Sequence, residues 1–271
     1  MERLSSPVTP VFTSYYWHRG FLMLAPTFVL ERQDKPYRRL SATLMYAAGK
    51  PFVIETGDGT VTEARAVLIA PKVLRRRIVA VDSDLMICDL SVATPHFNAV
   101  ASLLGGDDVT VLDAACFAGL NDEIALAQKA ELPVERVPAL IDNLIFALTG
   151  ERPEALPLHP RIAQVLALIE ESSLDAVSLP WLAEQVHLSP SRLRHLFTEQ
   201  IGCSLTHYCR WSAVWKGVWL WSRGMSLLDV VVETGFHDMA HINRAFNEVF
   251  GLNPSSLANA DQIRLMRCPM I

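Results

Sequence analysis

The sequence predicts an α+β chain. An N-terminal β-roll with helices behind it is followed by a C-terminal all-α domain, built of two helix-turn-helix units joined by one long helix. Three observations carry this. The first third holds β-rich runs split by turn signals at Gly57-Asp58-Gly59 and Asp82-Ser83-Asp84. The segment "ERPEALPLHP" (151–160) places three prolines in ten residues, as a linker does. Beyond it, one helix, turn and capped-helix pattern occurs twice, and an internal duplication is stronger evidence than either copy alone.

Taken in order, "PFVIETGDGTVTEARAVLIAP" reads as two β runs around a hairpin, and "LRRRIVAVDSDLMICDL" as a second pair. Short strands at this spacing suggest a small barrel or roll. From about Pro95 the period becomes helical. "LNDEIALAQKAE" predicts a helix with Asn121 as N-cap. In "PVERVPALIDNLIFALTG", Val137, Ile141, Leu144, Ile145 and Leu148 share one face, and Gly150 is the expected stop. That face suits pairing with a second subunit, or equally packing on the chain's own roll. After the linker everything reads as helical.

In the C-terminal half, Ser178 is the N-cap of a helix with Pro180 in its first turn, and Ser189-Pro190 repeats the signal for the next helix. Leu179, Leu182, Ala183 and Val186 face inward on the first; Leu193, Leu196 and Phe197 do so on the second. Ser191, Arg192, Arg194 and His195 then lie on the outer side near the N-terminus of the second helix, where a recognition helix meets base edges. The second copy starts at N-cap Ser226, turns at Gly235, and caps its last helix with Asp238, sending Ile242, Phe246 and Phe250 inward. Its outer side carries His241, Asn243, Arg244 and Asn247, and Gly251 with Asn253-Pro254 closes it. The spacing of Phe197 to Gly202 equals that of Phe246 to Gly251.

The residues "LAEQVHLSPSRLRHLF", "IGCSLTHY", "VVVETGFHDMAHINRAF" and "FGLNPSSL" within 178–257 resemble the DNA-binding domain of the AraC/XylS transcriptional regulators. The resemblance implies a cupin-like sensor domain over 1–95, a helical dimerisation region over 96–150, a linker over 151–160 and the DNA-binding domain over 161–271. It implies base-facing roles for Ser191, Arg194 and His195 in the first unit and for Met239, Ala240 and Asn243 in the second, with Arg244 nearer the phosphate backbone. Arg pairs with guanine and Asn with adenine, whereas Met239 and Ala240 offer apolar contact. It further implies promoter DNA, a homodimer, RNA polymerase and a small-molecule effector as partners. The chain departs from the family pattern at Ala213-Val214, where Arg-Leu is usual, and at Ser256-Leu257, where Tyr-Arg is usual.

Several features have two readings. Trp211, Trp215 and Trp219 form a stripe that either packs between the two units or docks the sensor domain or a partner subunit. Arg75-Arg76-Arg77 reads as a solvated strand edge, with an anionic effector or the DNA backbone as the alternative. Between 175 and 257, six Lys and Arg stand against seven Asp and Glu. That balance, with the Trp stripe, favours the rival reading of a family-derived interaction module that binds DNA weakly and controls a partner protein.

The formal net charge of −5 over 271 residues does not announce nucleic acid. Five cysteines, odd in number and without a C-x-x-C, read as reduced thiols of a cytoplasmic protein. The apolar run "FLMLAPTFVL" is too short to span a bilayer and lies wrongly placed for a signal peptide. His18 and His96 are the histidines of the β region, too few for a metal-bound cupin enzyme. With no nucleophile elbow, P-loop or dinucleotide fingerprint, the expectation is no enzyme, no metal and no cofactor.

Overall fold

The computed structural model describes residues 12–17, 20–31, 36–39, 41–91, 94–154, 158–250 and 263–268. His18, the side chain of Phe250, and the closing Gly251 and Asn253-Pro254 lie outside the described residues. The strands are β1 (Phe12–Trp17), β2 (Gly20–Ala25), β3 (Phe28–Glu31), β4 (Tyr37–Arg38), β5 (Ala42–Ala47), β6 (Phe52–Thr56), β7 (Val61–Ala64), β8 (Ala66–Ile69), β9 (Leu74–Ala80), β10 (Leu85–Leu90), β11 (Val109–Val111) and β12 (Ile263–Arg267). One sheet runs β11-β8-β5-β10-β2-β1-β12; the other runs β3-β9-β6-β7, with β4 also pairing β9.

The two sheets face each other across an apolar core that includes Phe21, Met23, Met45, Phe52, Ile54, Val67, Ile78 and Ile87. Strand β6 alternates buried and half-buried residues, as expected of a strand with one face on the core. Strands β2, β5 and β10 are buried throughout, because the far side of their sheet is covered too. There α1 (Pro95–Val100), α2 (Asn121–Gln128) and α3 (Val137–Thr149) pack. Val137, Leu140, Ile141, Leu144 and Ile145 join Leu22, Leu24, Leu44 and Tyr46 in a second cluster. The α3 face that suited dimerisation is therefore consumed by the chain's own sheet. The same helix ends at Gly150 with φ +72°, as its stop signal predicted.

The expected hairpin at Gly57–Gly59 joins β6 to β7, with Asp58 accepting from the Thr56 and Thr60 hydroxyls at 2.6 and 2.9 Å. The second turn joins no hairpin: β9 and β10 belong to different sheets, and Asp82 and Asp84, at φ 50° and 46°, carry the chain from one to the other. Short polar side chains tolerate that left-handed backbone. Asn121 is no N-cap. It is the first residue of α2, and its Oδ1 accepts from the Tyr46 hydroxyl at 2.7 Å. The arginine run is not a strand edge either, because β9 is flanked by β6 on one side and by β3 and β4 on the other.

The C-terminal half is tied to the roll at β12 and at the Trp stripe, among other places. The helical expectation beyond the linker fails at β12, which returns to pair in parallel with β1, Phe12 opposite Ile263. Arg267 of β12 also donates to Glu170 at 2.9 Å. The Trp stripe does both things its two readings offered: it docks on the β-roll, and Trp211 also packs against the cores of both helical units. Trp215 stacks on Tyr16 with ring centroids 5.0 Å apart and planes 3° apart, and meets Phe21 at 5.4 Å. Deleting such a buried indole costs roughly 3–5 kcal/mol.

Candidate nucleic-acid interface

Helices α4 (Pro160–Glu171), α5 (Leu179–Gln185) and α6 (Pro190–Ile201) make the first unit. The Ser178 hydroxyl accepts from the Trp181 amide at 3.3 Å and the Ser189 hydroxyl from the Arg192 amide at 3.2 Å, each satisfying an N-terminal donor the helix cannot. Ile162, Val165, Leu166, Leu182, Ala183, Leu193, Leu196 and Phe197 form one core. With Leu193, Leu196 and Phe197 turned in, Ser191, Arg192, Arg194 and His195 are left exposed on the opposite side of α6. Neither Arg192 nor Arg194 forms an ion pair among the described residues; His195 lies 3.9 Å from Glu199.

Helices α7 (Leu205–Ser222), α8 (Leu227–Thr234) and α9 (Met239–Phe250) make the second unit. Its core joins Val230, Val231, Phe236, Ile242, Ala245 and Phe246 to Ala213, Val214 and Val218 of α7. The Ser226 hydroxyl accepts from the Asp229 amide at 3.2 Å. Asp238 Oδ1 accepts from the His241 amide at 2.6 Å, and that hydrogen bond, aided by His237, holds the Asp238 carboxyl below its usual range. Ala240 and Arg244 are exposed, whereas Met239, His241, Asn243 and Asn247 are half-buried. Arg210 of α7 reaches Glu248 of α9 at 4.0 Å.

The two turns match more closely than their residues suggest. Counted from their N-caps, His187 and Gly235 occupy the same position, and both are left-handed, at φ 52° and 74°. At Gly235 there is a second reason for glycine. A Cβ there would lie 2.8 Å from the amide nitrogens of Leu174 and Asp175, and against the Asp175 carboxylate.

Sequence reasoning put Ser191, Arg192, Arg194 and His195 on what is the exposed side of α6, whereas of the residues it named on α9 only Ala240 and Arg244 are exposed. It missed that α9 also lies against β4 of the N-terminal domain. No local signal could have found this, because the contact spans some two hundred residues of chain. The units share α7, whose 18 residues measure about 27 Å at 1.5 Å per residue. Successive major grooves on one face of a duplex are about 34 Å apart, a gap that α7 plus the width of the units can bridge. What the two faces offer is contact chemistry: guanidinium forks, an amide and a hydroxyl on rigid, capped helices.

A family model described as a helix-turn-helix domain matches residues 182–260. Among curated proteins, the transcriptional activator RhaR of Pectobacterium carotovorum is 28% identical over 120 residues, covering 42% of each chain. The arabinose operon regulatory protein of Escherichia coli is 31% identical over 121 residues, covering 42% of this chain and 41% of its own. The chain thus spans about two fifths of the length of the curated relatives it matches. Among solved structures, ToxT of Vibrio cholerae covers 87% of this chain and 96% of its own at TM-score 0.51 and 10% identity, a likeness of fold. ToxT has also been solved with an unsaturated fatty acid bound. Residues 182–260 are thus similar to a helix-turn-helix domain, and about two fifths of the chain is similar to curated transcriptional regulators. No helix among the described residues is long and apolar enough to cross a membrane.

Proposed function

We propose that the protein is a sequence-specific transcriptional regulator that sets α6 and α9 into successive major grooves of promoter DNA. The observation that carries this is the pair of capped, outward-facing helices held by one continuous helix, with Ser191, Arg192, Arg194 and His195 on one and Met239, Ala240, Asn243 and Arg244 on the other. In this reading Arg194 and Asn243 read base edges, and Arg192 and Arg244 add phosphate contacts that make affinity salt-dependent. The β-roll receives a small-molecule effector; support comes from the roll's docking against α7 through Trp215 and from the fatty acid seen in ToxT. A homodimer and contact with RNA polymerase complete the proposal. The α3 face no longer argues for the dimer, so its interface lies elsewhere.

The test is selection of DNA from a randomised library by the full chain, followed by gel shifts over a salt series. Enrichment of two half-motifs about ten base pairs apart, with affinity falling as salt rises, is the expected result. Weak, sequence-independent retention would instead favour the interaction module, which the acidic balance of 175–257 and the contact of α9 with β4 support.

A further inference from the structure

Strand β12, five residues long, touches the roll and both helical units. It ends its sheet and pairs there with β1 alone among the described residues. The Cys268 amide extends the ladder, donating to the Tyr16 carbonyl at 2.8 Å. Side chains alternate along a strand, and here the two faces meet different partners. Towards α2 and α3, Arg264 Nη1 donates to the Lys129 carbonyl at 2.9 Å, and Met266 and Cys268 join the cluster that α3 covers. On the other face, Leu265 packs where the core of the roll meets the core of the second unit. Arg267, two residues on, donates to Glu170 of α4, in the first unit, at 2.9 Å.

An attachment of this kind opens before the rest of a fold does. A strand near the chain end, held by one ladder, sits at the low end of local stability. The side chains of Arg267 and Glu170 are 56% and 26% exposed, and a partly solvated ion pair contributes little. What β12 helps to hold is the second unit on the roll, with α9 against β4. In that arrangement the two copies are not equally available. Arg192 and Arg194 of α6 are exposed, whereas His241 and Asn243, their counterparts by the spacing that matches Phe197 to Phe246, are half-buried. The side of α9 that meets β4 is closed to DNA.

We propose that β12 is an autoinhibitory strap. Paired with β1, it keeps the second unit on the roll and α9 partly covered; unpaired, it lets both helices reach one duplex. DNA that engages α6 and α9 together binds the open form better, and a ligand shifts an equilibrium by that difference alone. The apparent affinity of the whole chain is then reduced by the fraction of molecules that are open. Control of DNA binding rests on the regulator reading above; attachment of the two halves through β12 does not.

The test compares Met266→Pro with Met266→Ala in the full chain. Alternate residues of a strand bond to the same neighbour, so the Met266 amide faces β1 as the Cys268 amide does. Proline removes that donor and alanine keeps it. Trypsin cleavage after Arg264, read by mass spectrometry, should be at least about fivefold faster in Met266→Pro than in Met266→Ala. Affinity for DNA selected from the randomised library should rise about tenfold in Met266→Pro and change less than about twofold in Met266→Ala. Arg267→Glu sets a like charge against Glu170 and serves if Met266→Pro does not fold. It should raise affinity about two- to fivefold, and Glu170→Arg added to it should restore the wild-type value. Equal cleavage of the two Met266 variants would show that the ladder does not hold β12 and would overturn the strap. So would DNA affinity that is unchanged or lowered in a chain whose β12 is cleaved faster, or in a folded Arg267→Glu chain. If no form binds DNA, the regulator reading falls and the inhibitory role with it, while cleavage after Arg264 still decides whether β12 ties the halves together.

Discussion

Replacing Gly235 by Val tests whether the turn aims α9. Gly235 has φ +74°, a conformation that costs an L-residue about 1–2 kcal/mol and a β-branched one more. The new Cβ would also press within 2.8 Å of the Leu174 and Asp175 amide nitrogens. That segment cannot retreat freely, because the Leu174 amide donates to the Thr234 carbonyl at 2.9 Å, a bond worth roughly 0.5–1.5 kcal/mol. Together these give a loss of about 2–4 kcal/mol, concentrated in α8 and α9. Urea denaturation followed by tryptophan fluorescence should show the lowered midpoint. Gel shifts should show the loss of one operator half without any base-facing residue having changed. Gly235→Asn divides the cause, since Asn tolerates left-handed backbone but still carries the Cβ. It should recover no more than about 1 kcal/mol of the loss. A Gly235→Val protein within about 0.5 kcal/mol of wild type, with unaltered DNA selection, would refute the reasoning.

Further outcomes follow from the same structure. Arg194→Ala should cost more DNA affinity than Asn243→Ala, by up to the roughly 1–3 kcal/mol of a bidentate base contact. Each should relax specificity in a different half-site, and equal, position-independent losses in a library selection would mean that neither helix reads bases. Ile141→Asp with Leu144→Asp should abolish cooperative unfolding of the β-roll. Both residues are buried against the sheet, and unpaired buried carboxylates cost several kcal/mol each; a soluble, folded monomer by light scattering and circular dichroism would contradict this. His207 sits half-buried, with Glu248, Asp89 and Arg210 around it, and burial holds its pKa below 6.5. The unfolded chain therefore takes up a proton near pH 6.5 that the folded chain resists, so stability should decline as pH falls through 6.5 toward the folded pKa. His207→Gln should flatten that part of the Tm-against-pH profile, and an unchanged slope would exclude His207 as its source.

The parts of this protein that were legible in the sequence are those decided within a few residues of chain. Ser178, Ser189, Ser226 and Asp238 cap their helices because a side-chain oxygen reaches an amide three residues on. Gly150 and Gly235 end theirs because the left-handed backbone there disfavours other residues. The 3.6-residue period sorted Leu193, Leu196 and Phe197 from Arg192, Arg194 and His195, and so exposed the candidate interface before any fold was known. Left to tertiary structure were the choices between partners that local pattern cannot distinguish. An apolar face on α3 looks the same whether it meets a second subunit or its own sheet. A tryptophan stripe does not announce that Tyr16, some two hundred residues earlier, will stack on it. The β12 strand needed the open edge of β1 to become a strand at all. Arg75 read as solvated because it belongs to a run of three cations; a single bulge in a central strand turned it into the interior. Local geometry is written into neighbouring residues, whereas burial and pairing depend on which distant surface arrives, and only the folded chain decides that.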